Sequence, residues 1–339
     1  GTYNLTASFI GFTTVYIYEI QVGSAATVDL DIAMKEESAG LDEIMLNTNR
    51  IEKSEESPLS KQTIGVTEIF RNPGGNRDIS RVVQILPGVS TTLAFRNDLI
   101  VRGGAPNENR FYLDGIEIPN INHFATQGSS GGPVGMINVN FIRNVDFYSG
   151  AFPANRGNTM SSLMEFEQIT GNREKFGGTF MIGSSDVGLT LQGPTGKNSS
   201  FILSARRSYL QFLFEALKLP FLPTYNDFQY KHFFEIDDKN QLTITGIGAI
   251  DNFVLNENVN DGETDQETID RNNYILGNLP IQEQWNYAIG ANWKHFSKNS
   301  FQNVVVSRNH LNNSADKYKD NIEVPENLQL DYESEEIET

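Results

Sequence analysis

The stretch Trp285-Asn286-Tyr287-Ala288-Ile289-Gly290-Ala291-Asn292-Trp293 alternates between apolar residues and small or polar ones. Successive side chains of a β-strand point to opposite faces, so every second residue of this stretch would share one apolar face. A tryptophan stands at each end of that face. Aromatic residues at both ends of an apolar strand face are typical of strands that cross a membrane, where the rings lie at the two interfaces. The stretch therefore predicts a transmembrane β-strand.

The same period of two extends over most of the chain after Gly171. The other alternating segments are 187–192, 228–237 and 242–250. Short turns are expected near 194–199, 237–240 and 297–300, and long polar connections near 210–227, near 252–283 and from about 308 to the end. Short connections on one side and long ones on the other are typical of outer-membrane barrels. A soluble β-sandwich would also alternate, but the loop asymmetry and the aromatic ends favour a membrane β-barrel.

The number of strands limits what kind of barrel this can be. We count about seven strands between residues 176 and 307, and we interpret the closing residues 332–336 as a solvated loop. Barrels of about eight strands are filled by their own side chains, whereas a barrel that holds a separate domain needs on the order of 22 strands. The chain is therefore expected to contain only the first third to half of a barrel protein.

The apolar residues of segment 64–170 are spaced differently from those of the alternating region. Apolar residues recur at helical spacing between Asn76 and Pro87, which predicts a helix with Asn76 as its N-cap. Strands are expected at 98–102, 110–118, 141–148 and 161–168. The Asp114-Gly115 pair between apolar flanks predicts a hairpin turn. This segment is expected to be a small α+β domain with mixed strands.

The front of the chain contains less apolar sequence. Residues 1–34 alternate like about three short strands, too few to form an independent core, so we expect the end of a β-sandwich there. The apolar stretch 41–47 is strand-prone but isolated. Residues 48–63 are polar and charged, and are expected to form a linker.

Composition excludes several classes of function. The 339 residues include 43 acidic and 26 basic side chains, a net charge of -17, which argues against nucleic acid as a partner because affinity there depends on Lys and Arg. The absence of cysteine excludes a disulfide scaffold, a thiolate metal site and a cysteine nucleophile. The four histidines lie far apart, and His123 is expected to make a structural hydrogen bond. We therefore expect neither an enzyme nor a bound cofactor or metal.

Several stretches resemble one known family. Residues 1–8 with 10–12, 41–46, 86–89, 99–104 and 112–116 are similar, in that order, to segments of TonB-dependent outer-membrane receptors in the form found in Bacteroidota. The resemblance implies a carboxypeptidase-regulatory-like β-sandwich ending at residues 1–36, a TonB box and linker at 37–63, a plug domain at 64–171, and the start of a 22-stranded transmembrane β-barrel at 172–339.

The resemblance also implies functional residues. Those of the TonB box would be Leu41, Asp42, Glu43, Ile44, Met45 and Leu46. Those of the plug signatures would be Leu86, Pro87, Gly88, Arg102, Gly103, Gly104, Asp114 and Gly115. An isolated extended segment can add itself as a strand to the sheet of a partner, which suits the box. We expect Arg102 to form a plug-to-barrel salt bridge in preference to contacting a ligand, and Asp114 and Gly115 to serve first as a turn.

The function implied by the resemblance is active transport of an unidentified ligand across the outer membrane of a Gram-negative bacterium. The N-terminal segment would lie in the periplasm and bind a TonB-type energy-transducing protein, and the barrel would contact outer-membrane lipids. A surface-exposed substrate-binding lipoprotein is an optional further partner. Two alternatives stay open at this point: a receptor or assembly component of the same architecture without solute import, and a soluble binding module with a β-sandwich after residue 171.

Overall fold

The computed structural model describes residues 2–9, 12–22, 28, 30–34, 60–72, 78–91, 96–125, 131–183 and 185–339. The strands are β1 (Thr2–Ala7), β2 (Val15–Gln21), β3 (Lys61–Gly65), β4 (Val89–Thr91), β5 (Leu99–Val101), β6 (Arg110–Leu113), β7 (Ile116–Ile118), β8 (Ile142–Tyr148), β9 (Leu163–Gln168), β10 (Gly177–Ile182), β11 (Asp186–Gly196), β12 (Ser199–Ser208), β13 (Phe221–Asp237), β14 (Asn240–Leu255), β15 (Ile281–Ser297), β16 (Ser300–Tyr318) and β17 (Leu328–Glu338). The helices are α1 (Val66–Arg71), α2 (Ile79–Val83), α3 (Leu210–Ala216) and α4 (Gln266–Asn278). No helix in the described ranges is long and apolar enough to span a membrane.

The region from β3 to β9 is the expected α+β domain. Its five-stranded sheet has the order β3-β8-β9-β6-β7, with β6 and β9 parallel and the other pairs antiparallel, so the prediction of mixed strands is confirmed. Strands β4 and β5, which lie between β3 and β6 in the sequence, form a separate two-stranded antiparallel sheet. Helix α2 begins at Ile79, and its N-cap is Asp78, whose side chain accepts from the Ser80 backbone N–H. The expected cap, Asn76, lies outside the described residues.

The predicted hairpin turn is confirmed. Strands β6 and β7 are joined by Asp114 and Gly115, with Leu113 opposite Ile116 in the ladder. Asp114 has a φ of 50° and Gly115 a φ of 91°. A two-residue hairpin turn with positive φ at both positions follows the twist of its strands, and Asp-Gly is a sequence that adopts it readily.

Strands β10 to β17 form one antiparallel sheet in which each strand pairs with the next in sequence. Seven of them, β10 to β16, begin between residues 176 and 307, as predicted. The expected long connection from 308 to the end is wrong, because β16 continues to Tyr318 and β17 fills Leu328–Glu338. The charged residues at 332–336 are therefore strand and not a solvated loop, since pairing with β16 supplies hydrogen bonds that local sequence does not reveal.

The two faces of this sheet differ in what covers them. On β15, Trp285, Ile289 and Trp293 are 37%, 53% and 36% exposed, whereas Asn286 and Ala288 on the opposite face are buried. The face with the tryptophans thus points away from the α+β domain, as its apolar pattern predicted. The inner face contacts the domain through β7, which packs on β15 and β16.

The N-terminal part of the chain is described only in pieces. β1 and β2 form an antiparallel ribbon. Val28 and residues 30–34, where a third strand was expected, have no strand conformation. The stretch 41–46 lies outside the described residues.

Candidate functional site

The inner face of the large sheet packs against the α+β domain. The two parts share a buried apolar core, and their backbones come close together at one glycine. Ile247, Ala249 and Ala288 of the sheet belong to the same buried cluster as the domain's own apolar residues. A Cβ atom on Gly290 would lie only 2.5 Å from Cγ2 of Ile116, so β7 reaches β15 where a glycine leaves room. The two parts are therefore closely packed. Two clusters of buried charged side chains, which we call ionic centres, lie between them.

The first, which we call the His123 centre, consists of His123, Asp227, Asp251 and Arg206. His123 is fully buried; its Nδ1 lies 2.7 Å from Asp251 Oδ1 and its Nε2 lies 3.0 Å from Asp227 Oδ2. Its ring stacks on Tyr225, with centroids 4.1 Å apart. One histidine of the α+β domain thus bridges two neighbouring strands of the large sheet, β13 and β14.

Arg206 of β12 extends this centre to a third strand. Its Nε donates to the Asp227 carboxylate at 2.9 and 3.0 Å. Its Nη2 donates to the carbonyl oxygens of Gly135 (2.7 Å) and Met136 (2.9 Å), which belong to the α+β domain. The guanidinium therefore neutralises a buried carboxylate and grips the backbone of the domain at the same time.

The geometry decides the charge of His123. Each ring nitrogen faces a carboxylate oxygen, and an ionised carboxylate can only accept a hydrogen bond, so both nitrogens must carry a proton. Burial lowers the pKa of His123, but the Asp251 and Asp227 carboxylates outweigh burial and the net pKa shift is upward. Asp251 also accepts from the backbone N–H of Phe124 at 2.7 Å, which holds the carboxylate in place.

The second, which we call the Asp114 centre, consists of Asp114, Lys231 and Gln168. Lys231 Nζ lies 3.1 Å from Asp114 Oδ2 and donates to the Gln168 carbonyl oxygen at 2.9 Å. The Gln168 backbone and side-chain amides both donate to Asp114 at 2.9 Å. Asn292 of β15 donates to the Asp114 carbonyl oxygen at 3.2 Å. The hairpin turn is thereby tied to β13 and β15 as well as to its own domain.

Uncharged side chains add further ties across the interface. The Ala125 backbone is held on both sides by Gln284, whose Oε1 accepts from the N–H at 2.9 Å and whose Nε2 donates to the carbonyl at 2.8 Å. Asn138 donates to Ser204 Oγ at 2.8 Å, and its backbone N–H donates to Gln229 Oε1 at 2.9 Å. The interface therefore combines a shared apolar core with directional hydrogen bonds and ion pairs between the two parts.

The structure brings several predicted signature residues together. Arg102, at the end of β5, donates its backbone N–H to the Gly88 carbonyl oxygen at 2.8 Å. Gly88 and Gly103 have φ values of 84° and 80°, which explains glycine at both positions. Gly104 lies in tight contact with Ser161. Leu86 and its neighbour Pro87 precede this turn, and Leu86 packs against the buried core.

The expected plug-to-barrel salt bridge of Arg102 is not seen among the described residues. Its Nη2 donates to Ser149 Oγ at 3.1 Å, within the α+β domain, and no carboxylate of the described residues lies within 4.0 Å of it. Arg102 itself has a positive φ of 51°, and its Nη1 lies near Gly150, so the turn directs the side chain over its own domain. Asp114, interpreted from sequence mainly as a turn residue, makes the ion pair instead.

Four further residues of the two ionic centres were not predicted from the sequence: Arg206, Asp227, Lys231 and Asp251. A signal was present, because Asp227, Gln229 and Lys231 alternate with apolar residues on β13, which puts charges on the face opposite to the apolar one. Their partners in the α+β domain could not be read from sequence. Within the described part of the chain, no cluster of three or more His, Asp or Glu residues could hold a metal ion.

The α+β domain matches the model of one known family. Residues 53–161 match the family model described as TonB-dependent Receptor Plug Domain. The chain carries a TonB-dependent receptor plug domain. We refer to the region from β3 to β9 as the plug and to β10–β17 as the barrel sheet. No match was found among curated proteins.

Solved structures share this architecture at low sequence identity. A mutant of the ferric enterobactin receptor of Pseudomonas aeruginosa, in complex with enterobactin, has a TM-score of 0.56 at 13% identity over 83% of this chain and 45% of its own. The ferric-catecholate import receptor Fiu of E. coli K12 has a TM-score of 0.51 at 11% identity, over 78% and 40% respectively. The chain thus spans less than half the length of these receptors. The likeness shows the fold: a plug against part of a β-barrel.

Proposed function

We propose that the protein is a TonB-dependent transporter of the outer membrane, in which the plug closes the barrel until a periplasmic partner pulls on it. The observation that carries this proposal is the form of the plug–barrel interface. Buried charged groups hold the plug at discrete points, and both sides of each pair are polar groups that water could solvate after separation. Such an interface suits a part that must move.

The proposal assigns the pulling point to residues 41–46 and the division of the chain to 1–36, 37–63, 64–171 and 172–339. The plug sheet supports this order, because among the described residues β3 is an edge strand paired with β8, and it is the first described element after the expected linker. The outer face of the barrel sheet, with its exposed apolar residues, would contact outer-membrane lipids. A TonB-type protein would be the periplasmic partner, and no chemical reaction would be catalysed.

Deletion of residues 41–46 in the full-length protein tests the coupling. We expect loss of energy-dependent uptake and of TonB capture, with ligand binding on the outside unchanged. Ile44→Pro should act like the deletion, since proline removes a backbone donor and restricts the preceding residue, whereas Ile44→Ala should do much less harm. Uptake at the parental rate by the Ile44→Pro variant would mean that the coupling segment lies elsewhere before residue 72.

A further inference from the structure

Three phenylalanine side chains, which we call the aromatic wall, lie near the His123 centre at the end of the barrel sheet that carries the long connections. Phe253 lies two residues beyond Asp251 on β14, and Phe221 lies four residues before Tyr225 on β13, so both share the inner face with them. The Phe221 and Phe253 rings stack with centroids 5.1 Å apart, and Phe214 of α3 meets Phe221 edge-on at 5.6 Å. All three rings are half-buried, so each keeps some solvent-accessible surface.

The plug contributes a further ring near the His123 centre. Phe124 meets Tyr225 in a T-shaped contact at 6.3 Å and is half-buried. Its φ is 54°, a left-handed conformation that bulky residues rarely adopt, and its backbone N–H is held by Asp251. Strained residues of this kind persist where the surrounding structure fixes them, and they cluster at ligand sites. The strain thus presents an aromatic ring directly beside the His123 centre.

Two of the three long connections at this end of the sheet are acidic, and we call them the acidic mouth. Between β14 and β15, residues 256–280 contain six acidic residues and one basic residue, Arg271. Between β16 and β17, residues 319–327 contain three acidic residues and one basic residue, Lys319. The short turns at the opposite end of the sheet carry Lys197, Lys239 and Lys298 against Asp238 alone. Fixed charge of one sign around a cleft concentrates ligands of the opposite sign.

We propose that a vestibule lined by Phe214, Phe221, Phe253 and Phe124 binds a cationic ligand with a planar or apolar face. Phenylalanine offers no hydrogen bond, so it recognises ligands by stacking and by the attraction of cations to its ring face. The acidic mouth adds attraction for cations and repels anionic chelates. The proposal rests on the protein being a ligand-binding receptor, but it concerns binding alone and does not require coupling to TonB.

The test uses the full-length receptor in nanodiscs of neutral lipid, with empty nanodiscs as the blank. Rhodamine 6G and fluorescein share a xanthene ring system and differ in the sign of their charge, so fluorescence anisotropy compares charge at nearly constant shape. We expect rhodamine 6G to bind at least tenfold more tightly than fluorescein at low salt. The difference should shrink in 0.5 M NaCl, because salt screens the acidic mouth. Deletion of residues 41–46 should leave this binding unchanged, which separates it from the transport proposal.

Variants locate the site. Phe253→Ala and Phe221→Ala should each weaken rhodamine 6G binding about fivefold, and Phe253→Leu, which keeps apolar bulk, should weaken it nearly as much because the ring face is lost. Phe228→Ala is the matched control, since Phe228 lies on β13 but faces outward. Combined Asp261→Asn and Glu267→Gln should reduce the salt dependence, whereas Asp238→Asn at a short turn should not.

Three results would overturn the proposal. They are tighter binding of fluorescein or of anionic ferric enterobactin than of rhodamine 6G, no detectable binding of rhodamine 6G, and equal binding by the Phe253→Ala, Phe253→Leu and parental proteins. A variant that fails to fold is recognised because it loses the heat-dependent gel shift of a folded barrel. In that case the milder Phe253→Leu substitution is measured in its place.

Discussion

A single imidazolium links three parts of this molecule. His123 belongs to the plug, Asp227 to β13 and Asp251 to β14, and Arg206 of β12 completes the charge balance. Asp186 and Tyr225 also face Arg206 or the His123 ring from β11 and β13. A buried charge is stable only while it is compensated, so removing one member disturbs the charge balance of the whole centre.

The His123 centre predicts that the plug is held less firmly as pH rises. A group whose pKa is raised on folding contributes its full stabilisation below its unfolded pKa, 6.5 for histidine, and loses it as pH rises through the folded-state value. Urea unfolding of the plug inside the intact receptor should therefore need less urea at alkaline pH. A fluorophore on Asn158→Cys would report it, since residues 1–339 contain no other cysteine.

The His123→Asn variant should lose that pH dependence and about 3–5 kcal/mol of plug stability, because it leaves Asp251 without its cation and Asp227 paired with Arg206 alone. His232→Asn is the control, since His232 lies on the outer face of β13 and contacts Tyr230 and Thr195 there. An unchanged pH slope in His123→Asn would show that another group governs the release of the plug.

The Asp114 centre makes a separate prediction. Lys231→Met should destabilise the plug by about 3–5 kcal/mol, since it leaves the Asp114 carboxylate buried without its cation. Adding Asp114→Asn to that variant should restore part of the loss, because the uncompensated charge is then gone. A double-mutant cycle on urea unfolding measures the coupling energy. Additive losses in the cycle would mean that the two side chains do not act as a pair.

Among the strands, the alternation of polarity along β15 predicted which of its faces points away from the plug. Ile289 lies on β15 midway between Trp285 and Trp293, and it is 53% exposed on the outer face. Ile289→Arg should therefore cost about 2–4 kcal/mol of barrel stability, the value for a charge at the bilayer midplane. Ile236→Arg, on the same face of β13 but at its turn end, should cost about 0–1 kcal/mol. Equal costs at the two sites would contradict the membrane position of β15.

Some elements of the fold could be predicted from the sequence, and others could not. The hairpin at Asp114-Gly115 and the faces of β15 depend on local rules, so sequence was sufficient. Strand β17 has four glutamates among its last six residues, which resembles a solvated loop, and only its pairing with β16 makes it a strand. Arg102 was expected to reach the barrel because it is charged and follows a strand. Its positive φ, which sequence does not give, turns it back over the plug.

The plug and the barrel sheet pack together, and the two ends of the sheet differ in their connections. The long connections, which hold α3 and α4, lie at the end near the His123 centre and the aromatic wall. The short turns at 237–240 and 297–300 lie at the other end. In the proposed transporter, an event at one end would reach the other through displacement of the plug, and the two ionic centres are the contacts that would have to break.

This arrangement predicts the orientation in the membrane. An epitope inserted after Gly262 should be labelled by antibody on intact cells, because the connection between β14 and β15 would face outward. Gly262 is a good site, since no atom lies within 4 Å of where its Cβ would be, and the bonds that tie Asn260 to α4 are left intact. The same epitope between Asp238 and Lys239 should be labelled only after lysis, because that turn would face the periplasm. The reverse pattern would invert the barrel and place the aromatic wall on the periplasmic side, where it could not receive a ligand from outside.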